Sequence, residues 1–432
     1  GRIQFMCNRD LTTVDGLVSD EVRPLKFIEK KVDLGDIVGI EGHLFRTQKG
    51  ELTICVTKFT LLCKTLLSLP DKHAGIADKG VRYRKRWLDL ITDQDSMNIF
   101  FMRSAIVKMT REYMGEHNFI EVETPVLQNN YGGAEARPFQ SHLNSLDQEM
   151  FLRISLEIPL KKLIVGGMSK IFEIGKVFRN EGIDRTHNPE FTMMEAYAAY
   201  LDYNDVMELT ENLFETIAKK LFGTTKITRA DKSGTEHEID LKAPWKRLTM
   251  KEAIKTYGKI DVDTKSDKEL TDLVKKHSDD NPKKIEQMPR GKKIAVLFEE
   301  TAEHHLIQPH HITDHPIETT PLCKPHRNPD DRADGLVERF ESFILGYEFC
   351  NAYSELNDPV IQRDLLEKQA EQKDAGDDEA NPMDEEFIEA ICQGMPPTGG
   401  LGVGIDRLTM LFTGVPSIRD ILYFPLMKPD NS

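Results

Sequence analysis

The sequence predicts an α+β chain in two parts, a small β-domain over residues 1–70 and a larger domain over residues 71–432. Three observations predict it. Residues 35–46 and 51–62 are runs rich in β-branched and aromatic residues, and Lys49-Gly50 between them signals a turn. Residues 96–117 carry Ile99, Met102, Ile106, Met109 and Tyr113 at the three- and four-residue spacing of a helix. Strand-like runs then recur at 151–154, 171–178 and 191–200, with another helical pattern at 205–221.

The first part suits a small antiparallel barrel whose open face could bind oligonucleotides. Residues 69–75 read as a linker, with Pro70 and Gly75 as its punctuation. Residues 258–294 are highly charged with few large apolar residues, and read as a solvent-facing helical insertion. Residues 364–389 hold eleven acidic residues against two lysines, and read as a solvated helical stretch with a loop at 375–382.

Composition bounds the function. With 39% hydrophobic and 30% charged residues, the 432-residue chain is globular rather than disordered or fibrous. No apolar stretch approaches ~18 residues, so no membrane helix is expected. Residues 1–5 carry neither the basic nor the apolar region of a signal peptide. The six cysteines are scattered with no C-x-x-C pair, which suits a reducing cytoplasm. The net charge of −15 does not exclude RNA, because local patches decide that, and Arg82-Tyr83-Arg84-Lys85-Arg86 is locally basic.

Several chemistries are unsupported. There is no phosphate-binding G-x-x-x-x-G-K-[ST], no G-x-S-x-G and no H-E-x-x-H. The glycines at 400, 402 and 404 miss the G-x-G-x-x-G spacing of dinucleotide folds. His304, His305, His310, His311 and His315 invite a metal reading. Adjacent histidines on a strand point to opposite faces, however, which disfavours a shared ion.

Three separated segments place charges inside apolar strands bounded by Gly or Pro, a pattern that points to a site because buried charge is costly unless it is used. The first runs from Phe119-Ile120-Glu121-Val122 to Glu123-Thr124-Pro125. The second is Phe178-Arg179-Asn180-Glu181-Gly182, continuing to His187-Asn188-Pro189-Glu190-Phe191. There Arg179 and Glu181, two apart, would share one face of a strand leading into a hairpin. A guanidinium, a carboxylate and the Phe191 ring are parts a nucleotide site needs. The third is Gly402-x-Gly404-x-Asp406-Arg407, where a strand gives way to a helix.

In this order the three segments resemble motifs 1, 2 and 3 of the class II aminoacyl-tRNA synthetases, and most closely the lysyl enzymes. The runs FRNEGIDRTHNPEFTMMEAY and AYSELND carry the finer resemblance. It spans essentially the whole chain. It implies an antiparallel sheet flanked by helices, and an N-terminal OB-fold that binds the anticodon. The barrel would be incomplete, because the sequence lacks an initiator Met and starts inside it.

The resemblance also implies roles. Arg179 would contact the ATP α-phosphate and the lysine carboxylate, and with Glu181 and Arg407 would form the catalytic set. Glu181 and His187 would position ATP, Phe191 would stack on adenine, and Gly404 and Arg407 would complete the nucleotide side. Glu341 and Glu348 would hold Mg2+; their spacing of seven would fit two helical turns or an odd step along a strand. For lysine, Glu157 would bind the α-amino group beside Gly133 and Asn351 would touch the carboxylate. Tyr353 would line the aliphatic chain, and Glu355 and Tyr197 would receive the ε-ammonium, with Glu195 in the same polar wall.

The implied substrates are ATP, L-lysine and tRNA(Lys), and motif 1 implies a homodimer. The aspartyl and asparaginyl enzymes share the three motifs, but a pocket for aspartate would be repelled by Glu355. A ligase that lysylates protein and a non-catalytic RNA-binding relative are further alternatives. The barrel strands disfavour the first, and the presence of Arg179, Glu181 and Arg407 disfavours the second.

Overall fold

The N-terminal pattern of β-branched residues forms a long antiparallel hairpin in the computed structural model, which describes residues 2–16, 22–70, 75–376 and 380–429. Four strands make this region: β1 (Gln4–Cys7), β2 (Thr13–Val14), β3 (Ile37–Arg46) and β4 (Leu52–Cys63). β3 lies antiparallel to one edge of β4, while β1 and β2 run parallel to the other. Gly50, at φ +81°, supplies the left-handed turn between β3 and β4 that a side chain would resist. Among the described residues the sheet is open, consistent with part of an OB-fold, and does not close into a barrel. A helix at Pro24–Lys31, absent from the sequence expectation, packs Phe27 and Ile28 against the small core of Val14, Val56 and Phe59.

Residues 1–96 and 97–432 form separate units. Within the first, the basic run does not present a free patch. Arg86 is buried against Asp89 at 2.7 Å, and Arg82 pairs with Asp89 and Asp93. Most of the predicted linker, residues 71–74, lies outside the described residues.

The larger unit continues with β5 (Ile120–Glu121), β6 (Leu127–Gln128), β7 (Gln140–Leu143), β8 (Gln148–Leu152), β9 (Lys170–Phe178) and β10 (Glu190–Ala199). Then come β11 (Lys226–Ala230), β12 (Glu236–Asp240), β13 (Lys246–Thr249), β14 (His310–Pro316), β15 (Leu336–Ile344), β16 (Tyr347–Ser354) and β17 (Thr398–Gly404). Eight of them pair in the order β13-β14-β15-β16-β17-β10-β9-β5. The interior pairs are antiparallel, as expected. The two outermost, β13–β14 and β5–β9, are parallel, so the sheet is mixed at its edges. Parallel neighbours need a long crossover, and both pairs are separated by long stretches of chain.

One face of this sheet is the core. Phe172, Met194, Ala196, Leu401 and Val403 meet Val206, Leu213, Phe214 and Ile217 of the helix Tyr203–Phe222. That helix starts with a capping box at Asp202 and stops at Gly223, in the left-handed region at φ +71°. The helix Ile405–Thr413 adds Leu408, Leu411 and Phe412 to the same cluster.

Two charged regions differ from the expectation of solvated stretches. The insertion is helical at Asp267–His277, Pro282–Gln287 and Arg290–Thr301, but it owns a core. Leu270, Val274, Ile285, Leu297 and Phe298 cluster with Ile254 and with Ile312 and Phe343 of the sheet. In the acidic stretch, helices Pro359–Asp374 and Glu385–Cys392 turn Leu366, Phe387, Ile388 and Ile391 inward toward Leu160 and Ile164. Residues 377–379 of its predicted loop lie outside the described residues. Among the described residues no helix is long and apolar enough to cross a membrane.

Candidate active site

The face of the sheet opposite the core carries the site. β17 lies between β16 and β10, and side chains alternate along it. Leu401 and Val403 enter the core, so Gly400, Gly402 and Gly404 leave a strip without side chains on the other face. Gly400 is flanked by Tyr353 and Tyr197, and Gly402 by Asn351 and Glu195. Arg339 and Glu341 of β15 extend the same two rows. A bare strip bordered by polar side chains lets a ligand lie on the backbone.

Two cavities open on this strip. One, of about 340 Å³, is lined by Gly133, Glu157, Glu195, Tyr197, Glu341, Tyr353 and Glu355, among others. The other, of about 280 Å³, is lined by Glu181, His187, Phe191, Gly404 and Arg407. Arg179, Glu348, Asn351 and Gly402 line both. Every site residue expected from the sequence therefore lies against one cavity or the other, and Arg179 stands where they join.

The first cavity is acidic. Six carboxylates line it against two guanidiniums, those of Arg179 and Arg339. At its deep end Glu195 accepts from the Leu156 N–H and the Tyr197 hydroxyl, each at 2.9 Å. Burial and the neighbouring Glu157 push the Glu195 carboxyl up to about 7, against those two donors and Arg179. Glu157 accepts from the Tyr353 hydroxyl at 2.7 Å. Gly133, at φ +86°, closes the wall where a Cβ would stand 2.1 Å from Ser155 Oγ and 2.9 Å from Glu157 Cβ.

Two residues here escaped the sequence reading. Lys161 is wholly buried, and its ammonium bridges Glu157, at 2.5 Å, and Glu355. Burial disfavours the charge, but the two carboxylates more than offset it and hold the ammonium above its ordinary pKa. The Glu157–Lys161 spacing of four on one helix was a legible signal; Glu355 as second partner was not. Arg339 is the other. Its Nε donates to Asn351 Oδ1 at 3.0 Å, which leaves the Asn351 amide N–H2 free to donate to a ligand.

The second cavity is less acidic, with Glu181, Glu348 and Asp406 facing Arg179 and Arg407. The Arg179 guanidinium lies over the Phe191 ring, 5.2 Å from its centroid. Arg407 donates to the Glu348 carboxylate at 3.1 Å and faces His187 Nε2, also at 3.1 Å. Arginine only donates, so Nε2 accepts and His187 Nδ1–H donates to Asp184 at 2.7 Å. Behind them, Asp406 pairs with Arg103 at 2.5 Å and accepts the Thr192 N–H at 2.7 Å. That bond set ties the third motif to the second and to the helix Gln94–Glu116.

Two local expectations are corrected. Arg179 and Glu181 do not share a strand face, because β9 ends at Phe178 and both lie in the following loop. The Arg179 N–H is instead held by the Pro189 carbonyl at 2.8 Å. Glu341 and Glu348 sit neither on a helix nor on one strand. They lie on the two strands of the β15–β16 hairpin, Glu341 opposite Asn351 and Glu348 opposite Phe343, and its turn uses Leu345 at φ +56° and Gly346 at φ +71°.

Glu341 and Glu348 line the first cavity, and each is paired with an arginine, Glu341 with Arg339 and Glu348 with Arg407 of the second cavity. Hard carboxylate oxygens facing a phosphate-sized space are the donors Mg2+ takes. Among the described residues no three or more His, Cys, Asp or Glu side chains converge as a metal site. A magnesium ion here would therefore complete its shell with phosphate oxygens and water. Of the five clustered histidines, His310 bonds the Gln308 carbonyl at 2.6 Å, His311 bonds Ser342 at 3.0 Å and Glu211 at 3.1 Å, and His315 bonds the Ile312 carbonyl at 3.0 Å.

The family model described as tRNA synthetases class II (D, K and N) matches residues 78–428. The chain belongs to that class. Among its relatives, the lysine–tRNA ligase of Chlamydia pneumoniae is 59% identical over 430 residues, covering 99% of this chain and 81% of the relative. The lysine–tRNA ligase of Chlamydia caviae is 60% identical over the same span. That of Listeria innocua is 52% identical over 402 residues, covering 93% and 78%.

Proposed function

We propose that this chain is a lysine–tRNA ligase, which joins lysine to ATP as lysyl-adenylate and transfers it to the 3′ end of tRNA(Lys). The observation that carries this reading is the pair of cavities sharing Arg179, one lined with carboxylates and one with an aromatic face and arginines.

In the first cavity Glu157 takes the α-ammonium. The aliphatic chain runs along Tyr353 toward Glu355 and Tyr197, which receive the ε-ammonium, with Glu195 in the wall. Asn351 holds the carboxylate. In the second, adenine stacks on Phe191 beside Arg407, while Glu181 and His187 orient the ribose and phosphates. Glu341 and Glu348 would hold Mg2+, which supplies charge neutralisation to ATP when bound.

The lysine carboxylate then attacks the α-phosphorus and pyrophosphate leaves. Arg179, at the junction, offsets the charge that builds on the phosphorus oxygens. The adenosine 3′-hydroxyl of tRNA next attacks the activated carbonyl, and AMP leaves. No side chain need form a covalent bond; orientation and fixed charge supply the acceleration.

The N-terminal strands are assigned to the anticodon, and the exposed Phe101, Ile120 and Leu127 to a two-fold interface. Six free thiols suit a cytoplasmic enzyme. Amino-acid-dependent pyrophosphate exchange across the twenty amino acids tests the reading. Lysine alone should support exchange. Exchange with aspartate or asparagine instead would refute it.

A further inference from the structure

Lys161 is a wholly buried cation beside the amino-acid cavity that the reaction above does not use. It is enclosed on every side. Its Nζ lies between Glu157 Oε1 and Glu355 Oε2, 5.6 Å from the centre of the Tyr353 ring and 5.9 Å from that of Phe387. Its ammonium has no exposure to solvent, so the two carboxylates are what keep it charged. The converse also holds, because a buried carboxylate stays ionised only beside a cation or donors.

The bridge divides the oxygens. Glu157 spends Oε1 on Lys161 and Oε2 on the Tyr353 hydroxyl. Glu355 pairs with Lys161 through Oε2, which leaves buried Oε1 with neither an ion-pair nor a hydrogen-bond partner among the described residues. Gly400 keeps that oxygen clear, since a Cβ there would meet Oε1 at 1.8 Å. Lys161 adds a third cation to a cavity where six carboxylates face two guanidiniums, so carboxylates still outnumber cations there, as a diamino acid with one net positive charge requires.

We propose that Lys161 is a positioning residue for the amino-acid substrate: it anchors Glu355 through one carboxylate oxygen and leaves the other free to receive the substrate's ammonium. This rests on the lysine reading above. The groups facing the pair are Glu157 on its own helix, Tyr353 and Glu355 at the end of β16, Cys323 bridged to Glu355, and Glu195 and Tyr197 of β10. Burial, with Glu157 and Glu195 beside it, pushes the Glu355 carboxyl well above its ordinary range, and Lys161 is the cation that works against them.

The test compares the parent chain with Lys161→Met and the milder Lys161→Gln. It measures lysine-dependent pyrophosphate exchange from about pH 6 to about pH 9, ATP binding by calorimetry, and thermal melting. In both variants kcat/KM for lysine should fall about 30-fold or more at neutral pH, with ATP affinity kept within about threefold. The acid limb of kcat/KM for lysine should move up by about one pH unit or more, since a carboxylate without its cation ionises later. A variant that binds ATP and keeps the parent's lysine kcat/KM, or loses it with the acid limb unmoved, overturns the proposal. Loss of ATP binding and the melting transition together in both variants makes Lys161 a structural strut, and also overturns it. A parent chain that does not exchange with lysine overturns the reading beneath the proposal, and shows itself before any variant is compared.

Discussion

Gly400→Ala adds one carbon to the amino-acid cavity and should cripple lysine recognition alone. The added Cβ would lie 1.8 Å from Glu355 Oε1 and 2.9 Å from Tyr197 Cε1. Neither neighbour yields easily. Glu355 is held by Lys161 and by its own N–H on the Thr398 carbonyl at 2.8 Å, and the Tyr197 hydroxyl is held by Glu195 at 2.9 Å. Relief therefore moves Glu355 Oε1 away from the ammonium it would bind. Losing one charge-assisted hydrogen bond costs about 1.5–3 kcal/mol, which is about a 10- to 150-fold rise in lysine KM. The ATP cavity does not include Gly400, so ATP KM should stay within about twofold of the parent. Steady-state pyrophosphate exchange, with each substrate varied in turn, reads both. A lysine KM within threefold of the parent would refute the geometry, and equal loss of both substrates would mean the sheet itself had shifted.

Other substitutions separate the remaining parts. Glu195 has a carboxyl raised to about 7, so the folded chain holds its proton more tightly than the unfolded chain and stability declines as pH rises from about 4.5 to about 7. Glu195→Gln should remove that slope and gain up to about 3 kcal/mol over the parent at pH 8, read by urea melts at pH 5 and 8; parallel curves would contradict it. Arg179→Ala should cut adenylate formation by about a thousandfold while lysine still binds by calorimetry, and retained exchange would remove Arg179 from the chemistry. Asp406→Asn strands Arg103 and should destabilise the larger unit by about 3 kcal/mol, seen as an earlier denaturant midpoint; an unchanged midpoint would mean the pair contributes little.

What was legible in the sequence was local. The three motifs are short contiguous runs, and alternation along β10, β16 and β17 carries Glu195, Tyr197, Asn351 and Tyr353 to one face; others reach the cavities from loops and helix ends, as Arg179 and Glu181 do after β9. Pairings between distant residues were not legible. Nothing near Lys161 announces Glu355, and nothing near Arg339 announces the orientation of Asn351. The charged insertion was read as solvated because Leu270, Val274 and Ile285 are thin along the sequence; folded, they pool with residues from the sheet. The spacing of Glu341 and Glu348 misled because a hairpin with a register shift was not among the geometries it suggested.

The most direct measurement is a crystal structure of the chain with a non-hydrolysable lysyl-adenylate analogue. The ε-ammonium should lie within hydrogen-bonding distance of Glu355 Oε1 and the phosphoryl group on Arg179. An analogue seated with its amine away from Glu355, or its phosphoryl group out of reach of Arg179, would contradict the account.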